Sequence, residues 1–209
     1  MSFSAEIEQA RTALNFDNLT RAFAMLAPLR DATNQADRHE AYSLSGQAAL
    51  AAGDLANAAV YLNYAAVERN DYRDWLKLGQ TAIRLGRFGL AERAFEMTMS
   101  TVDKTARHPL SVHEAFARVW VEAAQFEKAV SLLEPLRDFY PTLPHLARDC
   151  TQRLRLPAFN SFVDLAVEGL VGLVGLSSAE KKAWLTPLLE TPDAAADRYV
   201  RKKLRRSNL

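Results

Sequence analysis

The sequence predicts an all-α protein built from stacked helical hairpins. Three pairs of small residues recur 33 positions apart, namely Gly46 and Gly79, Gly53 and Gly86, and Ala58 and Ala91. Apolar residues lie at helical spacing between the glycines, as at Trp75, Leu78 and Ala82, and a second helical stretch follows each turn. A repeating unit of helix, tight turn and helix accounts for the 33-residue repeat and for the helical spacing of the apolar residues.

The small residues have distinct expected roles within this unit. Gly46 and Gly79 fall inside the first helix, where glycine costs about 1 kcal/mol relative to alanine. Their presence predicts that a neighbouring helix packs against bare backbone. Ala58 and Ala91 are expected to allow the same close packing in the second helix. Gly53 and Gly86 stand where a helix ends, and glycine reaches the left-handed conformation required there.

Residues of several units share one pattern of large and small side chains. The central unit contributes Trp75, Leu78, Gly79, Ala91 and Phe95. The unit before it contributes Tyr42, Gly46, Ala58, Leu62 and Ala65, and the unit after it Phe116, Ala117, Trp120, Phe126, Ala129, Leu133, Leu136 and Pro141. A more degenerate first unit contains Ala10, Leu19, Ala22, Leu26 and Leu29.

This pattern resembles the tetratricopeptide repeat family. The resemblance implies a helical-hairpin solenoid of three to four repeats over residues 1–141, strongest over 39–141. It also implies a concave groove, lined by the first helix of each hairpin, that holds a peptide segment of a partner protein. A longer linker, Thr101 to Pro109, separates the last unit from the one before it.

The groove positions implied by the resemblance are Gln47, Arg73, Leu76, Lys77, Gln80, Arg84 and Arg118. The central unit is basic and partly apolar, which favours a partner segment with acidic and apolar side chains. The Lys and Asn by which some members of the family hold a chaperone's C-terminal carboxylate are replaced here by Ser43 and Gln47. A co-chaperone of that kind is therefore not expected.

Residues 142–209 depart from the repeat and are expected to form further helices that cap the open end of the array. An apolar helix is predicted over 158–176, and it contains Gly169, Gly172 and Gly175. Asp164, Glu168 and these glycines argue against a membrane-spanning segment. The helix is either buried, with glycines that allow close packing, or a face for a homodimer or a partner helix.

Two helix starts are predicted in this region. Ser177 with Glu180 forms a capping box, and Thr191 precedes Pro192 as an N-cap residue precedes a first-turn proline. A basic tail follows over 198–209, with Arg201, Lys202, Lys203, Arg205 and Arg206 as candidates for contact with nucleic acid or an anionic membrane. The ordinary alternative is a flexible tail that promotes solubility.

No pattern typical of an active site or a metal site is found. His113-Glu114 begins like a zinc-protease helix, but Ala117 stands where the second histidine is required. His108 and His113 lack a paired carboxylate, and Cys150 is expected to be a structural thiol. We therefore expect no catalytic residue, no metal, no cofactor and no small-molecule substrate, and the chain is not expected to be an enzyme.

The composition is that of a folded protein in a reducing compartment. Hydrophobic residues make up 49% of the chain, charged residues 24%, and the formal net charge is +1. The single cysteine excludes an intrachain disulfide, and the first ten residues do not resemble a secretory signal, so a cytoplasmic location is expected.

These features favour a protein-interaction scaffold, an adaptor or a chaperone-like protein, with a homodimer as an option. A secretion-type chaperone for apolar translocator subunits is the nearest alternative. A peripheral factor that binds an anionic surface through the basic C-terminus is the alternative from another class.

Overall fold

The computed structural model describes residues 4–102, 107–146 and 148–207, with side chains throughout these ranges except at 148–150. Every regular element in the described ranges is a helix, which confirms the all-α prediction. The chain divides into two compact units, residues 1–102 and 103–209. Cys150 belongs to the three residues whose side chains are not described, so its expected structural role stays a prediction.

The first unit consists of six helices, each packed against its neighbours in the chain. They are α1 (Ala5–Asn15), α2 (Leu19–Leu29), α3 (Gln35–Ala51), α4 (Leu55–Arg69), α5 (Tyr72–Arg84) and α6 (Phe88–Thr101). Helices α1 and α2, α3 and α4, and α5 and α6 form three successive hairpins, and α1 also contacts α3. The more degenerate stretch at the N-terminus is thus a hairpin, with Ala10, Ala22 and Leu26 fully buried.

The second unit contains one further hairpin and the helices that follow it. Its helices are α7 (Pro109–Glu122), α8 (Phe126–Phe139), α9 (Arg148–Arg153), α10 (Phe159–Gly172), α11 (Ser178–Leu185) and α12 (Ala194–Arg206), with short 3-10 turns at Tyr140–Thr142 and Thr186–Leu189. Helix α10 packs on α7 and α8, and α12 packs on α10. The compact units separate at 102/103, because α7 and α8 pack with the C-terminal helix α10.

The first helix of all four hairpins ends in the same turn. A residue with positive φ follows each of these helices, at Asp17 (56°), Gly53 (75°), Gly86 (68°) and Ala124 (56°). The next backbone N–H then donates to a carbonyl five residues earlier, as from Asp54 to Ala49 at 2.9 Å and from Arg87 to Ala82 at 2.8 Å. The turns predicted at the two glycines are confirmed, and the outer two hairpins make the same turn without glycine.

The predicted close packing at Gly46 is also present. A β-carbon placed on this residue would lie 2.6 Å from Cγ of Leu62, in the helix that follows. Leu62 is itself fully buried, so it has little room to move away. The helical glycine therefore allows α3 and α4 to approach each other more closely than any larger residue would.

Replacing Gly46 by alanine is expected to lower the free energy of unfolding by about 1–3 kcal/mol through overpacking. Gly89 is the matched control, since it also lies in a helix but has no atom within 4 Å of its missing β-carbon. Gly89→Ala is expected to be neutral or stabilising by up to about 1 kcal/mol. Thermal and denaturant unfolding measure both changes, and a Gly46→Ala protein as stable as the wild type contradicts the packing argument.

The glycines of the apolar C-terminal helix pack inside the second unit. A β-carbon on Gly172 would lie 2.5 Å from the ring of Phe126, and one on Gly169 would lie 3.0 Å from Cγ2 of Val130. Both positions are thus occupied by α8 and are not free to form a self-association face. The helix ends at Gly172, before the predicted limit of 176, and Gly175 lies beyond it with open space around it.

Two predicted helix starts have different outcomes. The capping box of Ser177 and Glu180 is confirmed, with both reciprocal hydrogen bonds present at the start of α11. The prediction for Thr191 is wrong, because α12 begins after Asp193. The Asp193 carboxylate accepts hydrogen bonds from the backbone N–H groups of Ala195, Ala196 and Leu146, so it satisfies more donors than a threonine hydroxyl could.

No helix within the described ranges is both long enough and apolar enough to cross a membrane. The most apolar of them, α10, has 14 residues, against the approximately 20 that a spanning helix requires.

Candidate functional site

A concave site of the first unit lies across the first helices of its three hairpins. It is a pocket of about 530 Å³, within the size range of ligand-binding pockets. Its lining consists of Arg11, Leu14 and Asn15 from α1, Glu40, Ser43, Leu44 and Gln47 from α3, Arg69 from the end of α4, Asp71 from the α4–α5 connection, and Arg73, Asp74 and Lys77 from α5. Seven of these twelve residues carry charges, so the pocket suits a charged or polar group.

Glu40 forms ion pairs with two arginines that line the pocket. Its carboxylate accepts a hydrogen bond from Arg11 on one oxygen and from Arg69 on the other, both at 2.7 Å. The Glu40 side chain is only 10% exposed, and the hydrogen bond to this carboxylate raises the pKa of Arg11. A single carboxylate of α3 thereby joins the first helix of one hairpin to the second helix of the next.

Asp74 is the most deeply buried charged group of the pocket, with 2% of its surface exposed. The Ser43 hydroxyl donates a hydrogen bond of 2.6 Å to its Oδ1, while Oδ2 has no hydrogen-bond partner. Burial raises the pKa of the Asp74 carboxyl, and the hydrogen bond from Ser43 opposes this rise. A buried carboxylate with one unsatisfied oxygen destabilises the folded state at neutral pH.

Lys77 and Arg73 supply the cations of α5 that face this pocket. Burial lowers the pKa of the Lys77 ammonium, and the charges of Asp74 and Glu40 act in the opposite direction. Within the described part of the chain, no carboxylate approaches the Lys77 ammonium within 4 Å. Arg73 is exposed beside it, with its guanidinium 5.6 Å from the centre of the Tyr72 ring. The two side chains can therefore bind an anionic group.

The ionisation of Asp74 should make the stability of the protein depend on pH. Because the pKa of this carboxyl is higher in the folded state than its ordinary value of 3.8, the folded state holds the proton more tightly. Stability from this group is gained as pH falls through the raised pKa and is lost above it. Asp74→Asn keeps an oxygen for Ser43 without the charge, so we expect it to stabilise the protein by about 1 kcal/mol at pH 7.

The stabilisation by Asp74→Asn should shrink as pH falls from 7 toward the ordinary value of 3.8, because the raised pKa lets the wild-type carboxyl take up its proton first in the folded state. Denaturant unfolding across this range measures the difference. A variant less stable than the wild type at pH 7 would show that the ionised carboxylate is a net favourable part of the fold.

The predicted groove residues divide into three groups. Gln47, Arg73 and Lys77 line the pocket. Leu76 is buried in the core, because it lies one residue from Lys77 and hence about 100° around the helix. Gln80 and Arg84 lie further along the Arg73–Lys77 side of α5, half-buried and exposed respectively, and outside the pocket lining.

Arg118 belongs to the second unit and not to this pocket. It forms an ion pair with Glu114, one turn earlier on α7. The two nearby histidines have structural contacts, since His108 accepts a hydrogen bond from the Leu110 N–H and a hydrogen bond joins Nδ1 of His113 to the Leu132 carbonyl. No group of three or more metal-ligating side chains occurs among the residues that the structure describes.

The basic residues of the C-terminus lie on α12. Arg201 pairs with Asp197 at 2.9 Å. Lys203 pairs with Asp164 of α10 at 2.7 Å, so this candidate for an anionic contact is already occupied within the unit. Arg201, Lys202, Arg205 and Arg206 are exposed. Residues 208 and 209 of the predicted tail lie outside the described ranges.

The sequence does not predict which residues pair with the carboxylates of Glu40 and Asp74 in the pocket. Glu40 lies 29 residues from both Arg11 and Arg69, a spacing that differs from the 33-residue repeat. Asp74 pairs with a serine 31 residues earlier. Such pairs form between hairpins, and a periodic search along one helix does not detect them.

No protein-family model matches the chain, and comparisons with curated proteins and with solved structures find no match.

Proposed function

We propose that the chain is a protein-interaction adaptor of the tetratricopeptide repeat type, whose first unit holds a peptide segment of a partner in the pocket across α1, α3 and α5. The main support is the position of Lys77. Its ammonium is half-buried in a concave pocket, lacks an ion-pair partner in the described part of the chain, and is adjacent to the exposed guanidinium of Arg73.

The repeated hairpin geometry supports the assignment to this type of repeat. Four hairpins share one turn geometry, and Gly46, Ala58 and Ala91 are small where neighbouring helices approach. In such an array the first helices of successive hairpins form one continuous surface. The pocket lies on this surface, where an extended or helical segment can contact several hairpins at once.

The lining of the pocket favours a partner segment with acidic side chains next to apolar ones. An aspartate or glutamate of the partner would pair with Lys77 and Arg73 through charge-assisted hydrogen bonds. Leu14 and Leu44 provide limited apolar surface at the other helices. A secretion-type chaperone for apolar subunits would require a more apolar groove, so the charged lining favours an adaptor.

The proposal includes no chemical step, no cofactor and no small-molecule substrate. Two carboxylates of the pocket are engaged in structural pairs, Glu40 with two arginines and Asp74 with Ser43. The role is one of recognition, and we place it in the cytoplasm because the chain has a single cysteine.

Selection of peptides from a random library on the immobilised protein tests this function. We expect enrichment of segments that combine Asp or Glu with apolar residues. Synthetic versions should bind in solution, and versions with Lys in place of the acidic residues should not. Enrichment of basic or purely apolar peptides, or of none, contradicts the proposal.

A further inference from the structure

Helix α12 presents five exposed cations on one side. Arg201 and Lys202 lie three and four residues after Arg198, and Arg205 and Arg206 lie three and four residues after Lys202, so all five share one helical face. They surround a shallow depression of about 450 Å³ on the surface of the second unit. We name these five residues the basic face of α12.

The rotation of α12 is fixed by contacts on its other side. Ala196 and Val200 are buried, and the Tyr199 hydroxyl donates a hydrogen bond of 2.8 Å to Asp164 of α10. Lys203 pairs with the same carboxylate at 2.7 Å. These contacts hold the helix against its unit and direct the basic face outward.

The charges of the basic face are largely uncompensated. Arg201 pairs with Asp197, but the other four cations have no carboxylate within 4 Å in the described ranges. The pairs Arg198–Lys202 and Lys202–Arg206 place like charges four residues apart, an arrangement that destabilises a helix. The cations do favour the C-terminal end of the helix dipole, but an anionic partner would remove the repulsion between them.

We propose that the basic face of α12 binds the phosphate backbone of double-stranded nucleic acid without sequence preference. Four of the five cations are arginines, and the forked guanidinium donates two parallel hydrogen bonds to one phosphate. From Arg198 to Arg206 the helix rises about 12 Å. An equal length of duplex carries about seven phosphates, enough to pair with every cation of the face.

The structure favours a duplex over the other anionic partners. Binding of single strands generally uses aromatic rings on which bases stack, and Tyr199, the one aromatic residue of α12, is held by Asp164. A helix that inserts into a membrane surface requires an exposed apolar side. The apolar side of α12 is buried against its own unit, so the face offers charge alone.

Fluorescence anisotropy with a labelled mixed-sequence duplex of about 20 base pairs tests this proposal, with salt increased from about 50 mM. The test variant is Arg198→Gln/Lys202→Gln/Arg205→Gln/Arg206→Gln. Its control, Arg21→Gln/Arg87→Gln/Arg93→Gln/Lys182→Gln, changes the net charge equally at exposed positions elsewhere. Circular dichroism confirms that all three proteins are folded.

We expect the wild type and the control to bind, with a slope of log affinity against log salt of about −4. The test variant should bind at least tenfold more weakly, with a slope of about −1 or less in magnitude. Two duplexes of different sequence should bind equally.

Equal binding by the test variant and the wild type would overturn the proposal, as would equal weakening in the control. Cosedimentation with vesicles that contain about 30% phosphatidylserine is the second measurement. Retention on these vesicles without binding to the duplex would assign the face to a membrane surface and overturn the proposal in that way.

Discussion

Replacing Lys77 and Arg73 together by glutamine is expected to weaken binding of a selected acidic peptide by tenfold or more. Both cations face the pocket of the first unit, and Lys77 has no competing ion pair in the described part of the chain. Removing one charge-assisted hydrogen bond typically costs about 1.5–3 kcal/mol, so about tenfold is the loss expected if only one of the two cations contacts the peptide. Titration of the peptide by fluorescence anisotropy measures the change.

The fold should survive the Lys77→Gln/Arg73→Gln change. Arg73 is exposed, and the neutral glutamine at 77 removes an ammonium that is partly desolvated. The control variant Arg87→Gln/Arg93→Gln removes two exposed cations of the same unit outside the pocket and should bind as the wild type does. If the test and control variants lose affinity equally, recognition depends on net charge and not on the pocket.

Glu40→Gln is expected to produce the largest loss of stability among single polar substitutions in the first unit, about 2 kcal/mol. The change leaves Arg11 and Arg69 without the shared carboxylate that each contacts at 2.7 Å. Removing one partner of a buried ion pair is much more costly than removing an exposed one, because the remaining charge stays partly desolvated. The loss stays below the full buried value because both arginines are partly exposed.

Glu8→Gln is the matched control for the Glu40 prediction. Glu8 pairs with the same Arg11 at 2.9 Å, but it is exposed and only one helical turn away. Its replacement should change the free energy of unfolding by less than about 0.5 kcal/mol. Denaturant unfolding of both variants gives the comparison, and similar small effects would show that Glu40 contributes little to joining the hairpins.

The sequence predicts the helical hairpins well because their determinants are local. The turn at Gly53 and the close approach at Gly46 depend on residue size and backbone freedom, which the sequence displays directly. The turn at Ala124 has the same geometry without glycine, so a search for glycines underestimates the regularity of the array.

The candidate site is predicted only in part because it depends on contacts between hairpins. The helix periodicity places Lys77 and Arg73 on one side of α5, and the structure puts both in the pocket. It also turns Leu76 about 100° away from Lys77, toward the core, but it does not predict that Asp74 pairs with Ser43. The register between successive hairpins determines such pairs, and no single helix contains that information.

The role of the α10 glycines also depends on contacts with other helices. The glycines of α10 allow several interpretations in the sequence, since small residues suit both a core helix and a dimer face. The choice depends on what stands opposite them. Phe126 and Val130 of α8 occupy those positions, and they place the glycines inside the second unit.

We propose that a partner peptide binds across the first helices of the first unit. Backbone amide NMR of the labelled full chain, titrated with a selected acidic peptide, tests it most directly. We predict shift changes that cluster on the pocket residues of α1, α3 and α5, with Gln47, Arg73 and Lys77 among them. Changes confined to α2, α4 and α6, or to the second unit, would contradict it.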